Sequence, residues 1–396
     1  IRVLELTSTV SGPFAGMMLA DQGAEVIKVE PPGIGDLARF MGTIKDGMGA
    51  MFSTLNRNKK CICLDFKNEE DLSVLKELVS TTDVLIENYR PGIVKKLGID
   101  YESLSQINPD LIYCSISGYG QSGPYKEKKV YDPLIQGTVG IPHAQNIKSP
   151  ELIRTIIYDK VTGLTSAQAI SAALYQKAKG EGGQYLPISM MESALYYNWP
   201  DLMMNHTFDE GGINLGELAD LFEVYETKDG GVVLIIIASD EVFSKFCNVF
   251  DLSLHLDEKY NNLVSRIMNK DELTTEINKV TKQLSCKDLE SKMDLEGISA
   301  SICNELHEVH KDPQIIEQGS IVEINHPELG VMRMPKPPAN LKGQSSFPRS
   351  LAPILGHDNR EVLTSINIDT GIIQRMEDRE KQNREMLASL MQATEE

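Results

Sequence analysis

Asp159 is the residue of this chain whose type and position could do chemistry. It lies in Tyr158-Asp-Lys-Val-Thr-Gly-Leu-Thr165. The apolar run before it, Ile153 to Ile157, reads as a strand, and the segment after it reads as a helix to about Lys177. At the N-cap its carboxylate would face the free N–H groups and positive end of that helix. Such an aspartate is either a cap alone or a nucleophile. Other chemistries lack their residues. The seven histidines include no H-E-x-x-H, and His307-x-x-His310 has no ligand-type cluster beside it, so no metal is expected. There is no G-x-S-x-G elbow and no G-x-x-x-x-G-K-[ST] loop. Gly118-Tyr-Gly-Gln-Ser-Gly123 matches G-x-G-x-x-G, but Pro124 follows it and several strands precede it, which excludes a dinucleotide fingerprint. Those glycines are expected to permit a tight turn that brings Lys128, Lys129 and Tyr131 over a cleft. A carboxylate at a helix start, flanked by lysine-bearing loops, remains.

The elements that must position it alternate β and α. Val3–Leu6, Glu25–Val29, Cys61–Leu64, Val84–Ile86, Leu111–Ile116 and Gln184–Ile188 read as strands. Helical patterns cover about 12–22, 67–79 and 190–206. Short apolar strands separated by helices predict an α/β fold, a Rossmann-like parallel sheet covered on both faces. Ligands then sit in loops beyond the carboxyl ends of the strands, among them 7–11, 30–39, 55–60, 87–92 and 117–132. A smaller α+β region follows, with strands at 222–227 and 232–237 and helices at 241–249 and 270–284. From Pro313 the many prolines predict an extended linker, and the tail from Gly371 a charged helix.

Composition limits the partners. A chain of 396 residues predicts two domains. A net charge of −18 argues against nucleic acid and anionic membranes, though local lysines can still form a positive pocket. The six cysteines are scattered in strand-like runs, the pattern of buried thiols in a reducing cytoplasm. No apolar run approaches the roughly 20 residues of a membrane helix, and no signal peptide opens the chain. The numbering begins at Ile1, which is consistent with a short leader before it.

The sequence resembles the class III coenzyme A-transferases, a family that also contains α-methylacyl-CoA racemases. The likeness spans nearly the whole chain. It is carried by Arg2–Leu6, Gly12-Pro13, Leu19–Glu30, Asn56–Lys60, Asp83–Gly92, Ser117–Pro124, Asp159–Gly163, Asp312–Gln314 and Asn359–Leu363. It implies a large domain from 1–190 and 313–396, a linker helix and glycine joint at 191–216, and a small domain at 217–312. It also implies an interlocked, ring-shaped homodimer. Asp159 matches the catalytic aspartate, which attacks an acyl-CoA thioester to form a mixed anhydride and then an aspartyl-CoA thioester. CoA thereby passes from an acyl-CoA donor to a small carboxylic acid, with no cofactor beyond CoA itself. Asn88, Tyr89, Lys96, Leu97, Lys59, Lys60, Lys129, Tyr131 and Met190 match positions that contact CoA.

Two other readings stand beside the transferase. A racemase needs acid/base groups on both faces of the α-carbon. Tyr131 stands at that branch's histidine position, ahead of Asp132, and Ser239 stands at its glutamate position, ahead of Asp240 and Glu241. These substitutions favour the transferase. Against it, the segment 219–230 resembles the racemase small domain as much, and Val10 replaces a glutamine of some transferases. A non-catalytic acyl-CoA-binding protein ranks last, because Asp159 is present.

Overall fold

The computed structural model describes residues 1–395 other than 147, 215, 328, 340 and 342–346. Parts of the predicted glycine joint and of the return from Pro313 therefore lie outside the described residues. The chain divides into two compact units, Ile1–Tyr197 with Gly319–Glu396, and Asn198–Gln318. The first unit therefore runs to Tyr197 and resumes at Gly319.

The first unit holds six strands: β1 (Arg2–Leu6), β2 (Glu25–Glu30), β3 (Lys59–Cys63), β4 (Val84–Glu87), β5 (Ile112–Ser117) and β6 (Gln184–Ser189). They form one parallel sheet in the order β3-β2-β1-β4-β5-β6. The central strands are buried on both sides, so burial does not alternate along them; most of their residues are apolar, with Glu5, Lys28, Glu30 and Glu87 buried among them. β6 lies at an edge and alternates, which is where Pro187 is tolerated. Leu4, Leu6 and Ile27 pack on one face against Val74, Leu75 and Leu78. Val3, Val26 and Ile86 pack on the other against Leu19, Ala167 and Ile170. The covering helices are α1 (Ser11–Asp21), α2 (Glu69–Ser80) and α4 (Ile157–Ala178), and α3 (Asp132–Thr138) packs against α4. α5 (Met190–Leu202) follows β6. The strand order reverses between β1 and β4, so their carboxyl ends open the crevice where doubly wound sheets bind ligands.

The second unit has a three-stranded antiparallel sheet of β7 (Glu223–Glu226), β8 (Gly231–Leu234) and β9 (Ala300–Ile302), with β8 in the middle. Helices α6 (Asp240–Val249), α7 (Lys270–Thr281) and α8 (Cys286–Leu295) pack around Tyr225, Phe243, Phe246 and Leu289. The sequence reading extended α7 to Leu284 and omitted α8. Ser285 separates the two, because its hydroxyl accepts the Asp288 N–H at 3.1 Å and starts a new helix.

The return is not merely a linker. β10 (Ile321–His326) and β11 (Gly330–Pro335) form an antiparallel hairpin, with the prolines confined to its turn and end. Beyond it come α9 (Asn359–Ser365) and α10 (Thr370–Glu395). Asp358 and Asn359 accept the backbone N–H groups of Cys61 and Cys63, at 2.7 and 2.8 Å, and so cover the open edge of β3. Five cysteines are buried, whereas Cys303 is exposed. Among the described residues no helix is long and apolar enough to cross a membrane.

Beneath the crevice lies a buried charge cluster. Glu5 on β1 stands opposite Lys28 on β2 and pairs with it at 3.0 Å. Its second oxygen meets Lys59 on β3 at 2.8 Å. Lys28 also pairs with Asp36 at 2.9 Å and donates to the Thr7 carbonyl at 2.8 Å. Burial would lower the Lys28 pKa, but Glu5, Asp36 and Glu30 outweigh it and raise it. Lys59 meets one carboxylate, with the Pro13 carbonyl and Asn56 Oδ1 as its other acceptors, and burial takes it down to about 8. Gly16 of α1 makes the space, since a Cβ there would lie 1.9 Å from the Glu5 carboxylate. Glu5→Gln leaves two buried ammonium groups short of a counter-charge. A loss of about 3–5 kcal/mol is expected from a buried pair broken on one side. Urea denaturation at neutral pH measures it, and a loss below roughly 1 kcal/mol, the size of an exposed pair, would refute the dependence.

Candidate active site

Asp159 stands in the first turn of α4, not at its cap. The N-cap is Ile156, which has no side chain to offer. The cap comes from elsewhere in the chain: the buried Asp132 carboxylate accepts the N–H groups of Tyr158 at 2.5 Å and Asp159 at 3.2 Å. The expected strand before it is also absent. Residues 151–156 are irregular, because the Gln136 side chain satisfies their backbone. Its carbonyl oxygen accepts the Ile153 N–H at 2.9 Å, and its amide donates to the Thr155 carbonyl at 3.1 Å. Gln136 in turn donates to Asp132 at 2.6 Å. With capping done by Asp132, the Asp159 side chain is free to face the crevice.

There it meets the start of α1. The Ser11 hydroxyl donates to Asp159 Oδ1 at 2.6 Å. Two helix N-termini therefore converge on one carboxylate. They approach so closely because α4 carries Gly163, where a Cβ would fall 2.7 Å from the Ser11 carbonyl. Burial pushes the Asp159 pKa up, the Ser11 contacts pull it down, and Asp132 adds a further rise; the result lies above the ordinary carboxylate value. Desolvation thus outweighs the Ser11 contacts at this helix terminus.

The loop between β1 and α1 is held from both sides. Thr9 adopts a left-handed φ of 69°, and its N–H donates to Asp36 Oδ1 at 2.9 Å. Asn88 accepts from the Ser8 N–H at 3.0 Å and donates to the Ser8 carbonyl at 2.9 Å. Asp36 thereby links the loop to Lys28 and the buried cluster.

A cleft of about 300 Å³ opens over Asp159. Of the residues singled out by sequence, Asn88, Tyr89, Lys129, Tyr131, Met190 and Asp159 all line it. Arg90, Lys126 and Lys128 line it as well. Among the described residues none of these cations has an ion-pair partner, although Lys128 lies 3.4 Å from the Tyr125 ring centre. They form a basic opening on an acidic protein. Other assignments move. Lys59 points into the buried cluster, and Lys60 pairs with Glu25 and Glu361 at 2.9 Å each, so neither lines the cleft. Leu97 packs on the sheet core, and Lys96 is exposed on the short helix at 93–97, outside the cleft lining. The sequence reading placed Ser11 in a ligand loop and named Asp132 beside Tyr131, but not their bonds to Asp159 and to the start of α4. Asp132-Pro133 was a legible helix start, with proline at its first turn, but the span from Asp132 to residue 158 was not legible.

The racemase positions are occupied otherwise. Tyr131 is exposed at the mouth of the cleft, and Asp132 is committed to N–H groups and Gln136. In the second unit Ser239 caps α6, Asp240 pairs with the buried Arg266, and Glu241 pairs with Lys245 at 2.8 Å.

A doubly wound sheet with a desolvated carboxylate at its switch point and a basic cleft above it defines an α/β protein built for an anionic ligand. The chain matches CoA-transferase family III over residues 1–359. It is 33% identical to the succinate–glutarate CoA-transferase of Agrobacterium fabrum, covering 92% of this chain and 94% of that protein. It is 30% identical to the succinyl-CoA:glutarate CoA-transferase of Mus musculus, covering 95% and 88%. A CaiB/BaiF family protein of Brucella suis has a crystal structure that aligns with a TM-score of 0.81 at 30% identity, covering 93% of this chain and 98% of that one. The chain belongs to CoA-transferase family III and is a transferase enzyme.

Glu87 supports the cleft from below. Its carboxylate accepts the Tyr89 N–H at 2.8 Å, and burial raises its pKa to about 7. A carboxyl raised in the folded state binds its proton more tightly there than in the unfolded chain. Its contribution to stability is full below about pH 4.5 and is lost as pH rises through 7. Unfolding free energy is expected to fall between pH 5 and 8 by on the order of 3 kcal/mol more in the native protein than in Glu87→Gln. Equal pH slopes in denaturant titrations would remove Glu87 from this account.

Proposed function

We propose that this enzyme transfers CoA from an acyl-CoA donor to a carboxylic acid through covalent intermediates on Asp159. The observation that carries the reading is the 2.6 Å bond from Ser11 to a carboxylate raised by burial, at the edge of a cation-lined cleft. Asp159 attacks the thioester carbon; the C–S bond breaks, CoA leaves as the thiolate, and an acyl-aspartyl anhydride forms. The thiolate then attacks the aspartyl carbonyl and releases the donor acid as its carboxylate. The acceptor carboxylate attacks the resulting aspartyl-CoA thioester and forms a second anhydride. The thiolate finally attacks the acceptor acyl carbon, which yields new acyl-CoA and free Asp159. Each step exchanges one acyl bond for another, so no net proton transfer is required. Poor solvation supports attack, because a carboxylate stripped of water is a stronger nucleophile. The basic cleft suits the phosphates of CoA, and Ser11 and the two helix N-termini suit the negative charge held at Asp159. The names of the two similar transferases support succinyl-CoA as the first donor to try, and a reducing cytoplasm suits the buried thiols.

Incubation with succinyl-CoA followed by intact-mass measurement is expected to show an acyl or CoA adduct on the wild-type chain. Hydroxylamine should cleave it, and Asp159→Ala should lack it and lose roughly a thousandfold or more in kcat, as expected when a nucleophile is removed. Exchange of an α-proton with deuterium, without any adduct, would instead assign a racemase.

Ser11→Ala removes a donor that stabilises the charged form of Asp159. The acid limb of kcat/KM is therefore expected to move upward. Ser11→Thr, which keeps the hydroxyl, should restore it. An unchanged limb in Ser11→Ala would mean that another group controls it.

A further inference from the structure

The loops that follow β4 and β5 meet at one buried carboxyl. Glu87 ends β4 and stands opposite Ser115 of β5 in the parallel register. The Ser115 hydroxyl bonds to the Glu87 carboxyl. Gln121, in the loop beyond β5, donates from Nε2 to that same hydroxyl at 3.0 Å. Glu87 also serves its own loop, because its Oε2 accepts the Tyr89 N–H at 2.8 Å. Gln121 can fold back on the strand because Gly120 and Gly123 flank it with φ of 96° and 85°, a conformation that glycine adopts freely. The two ends of the β5 loop are drawn together as well: a Cβ on Gly118 would lie 2.4 Å from a Val130 methyl. The glycine motif that does not mark a dinucleotide site therefore shapes a loop pinned at its neck and at Gln121. Lys126, Lys128 and Lys129 lie on the rest of that loop, and Arg90 lies on the β4 loop.

We propose that Glu87 is a positioning residue for coenzyme A: through Tyr89 on one side and through Ser115 and Gln121 on the other, it holds the two cation-bearing loops at a fixed spacing. The inference rests on the reading of the basic cleft as the CoA site. Glu87 and Ser115 lie beneath the cleft and do not line it, so they act through the loops and not by touching the ligand. Glu87 is 1% exposed and, among the described residues, has no cation beside it. A buried acid without a counter-charge costs stability, and an apolar side chain of similar volume would avoid that cost. What an apolar side chain lacks is acceptor oxygens. One carboxyl can accept the backbone N–H of one loop and the hydroxyl that leads to the other. A ligand with several phosphates draws on cations of both loops at once. Any freedom of one loop relative to the other in the free protein must be given up on binding, and an arrangement already fixed reduces that loss. The predicted signature is a change in CoA affinity with little change in the chemical step.

The test titrates free coenzyme A into the full-length enzyme by calorimetry and follows transfer from succinyl-CoA to glutarate by steady-state kinetics. Ser115→Ala and Gln121→Ala each remove the arm to the β5 loop, and each should weaken CoA binding roughly fivefold, the effect of one lost hydrogen bond. Glu87→Ala removes both arms and should weaken it roughly tenfold or more. The KM for succinyl-CoA should rise in parallel, while kcat changes by less than about twofold and the KM for glutarate stays as in the wild type. Adding Gln121→Ala to Glu87→Ala should cost nothing further, because the arm then has no anchor. Gln121 is exposed, so its variant decides the question even where Glu87→Ala does not fold. Unchanged CoA affinity in Ser115→Ala and Gln121→Ala overturns the proposal and leaves the transferase reading in place. A fall in kcat without a loss of affinity, or fully additive losses in the double variant, also overturns it. No CoA binding and no Asp159 adduct in the wild type overturns the reading on which it rests.

Discussion

Lys28 and Lys59 share one buried carboxylate, Glu5, and the site above them depends on that arrangement. Charges this deep repay their lost hydration only when they are paired and hydrogen-bonded together. Here the accounts balance locally: Glu5 and Asp36 face Lys28 and Lys59. Nearby, Glu30 meets Arg39 through two bonds, at 2.7 and 2.8 Å, and Arg39 lies over the Phe52 ring. An apolar cluster of the same volume could fill this space, but it could not direct Asp36 at the Thr9 N–H. The ionic cluster fixes direction as well as proximity. A series of short bonds runs from Lys28 through Asp36 to the β1–α1 loop, and from Ser11, where that loop enters α1, to Asp159. The left-handed backbone at Thr9 is held by this network and by Asn88 on the other side.

Two aspartates divide the work at the start of α4. Asp132 satisfies the free N–H groups of the helix, and Asp159, relieved of that task, turns toward the cleft. The consequence is electrostatic tension. Asp132 lies close enough to raise the Asp159 pKa, burial raises it further, and Ser11 only partly offsets both. A cap supplied by Asp159 itself would have produced a quieter carboxylate, bonded to its own helix and less available to an electrophile.

The sequence revealed the layers more readily than the contacts between them. β1 to β5 were legible because strands buried on both faces are largely apolar, β6 was legible as a short run of strand formers after a glycine turn, and the helices between them keep their own period. Asp159 was legible as a carboxylate at a helix start. Its surroundings were not, because they depend on residues distant in the chain: Asp132 caps a helix that begins at 157, and Gln136 replaces the strand partner that Ile153–Ile157 was expected to find. Lys59 and Lys60 show the same limit. Both looked like loop lysines suited to a phosphate, yet strand alternation sends Lys59 inward to Glu5 and Lys60 outward to Glu25 and Glu361. The hairpin after residue 320 was hidden by its prolines, which occupy the turn and the end rather than the paired interior.

Charge is distributed here by function more than by average. The chain carries −18 overall, but the average obscures two populations of cations. Those inside the sheet and at its edge are matched with carboxylates and position the fold. Those around the cleft, Arg90, Lys126, Lys128 and Lys129, have no ion-pair partner among the described residues. An unpaired cation in an acidic protein is attracted to carboxylates nearby, and side-chain collapse onto them would close the cleft. The loops avoid this by supplying aromatic and glycine neighbours instead: Tyr119 and Tyr125 pack at 5.5 Å, Lys128 rests on Tyr125, and Gly120 and Gly123 turn the chain at positive φ. The positive potential is thus kept for a ligand that brings its own negative charge.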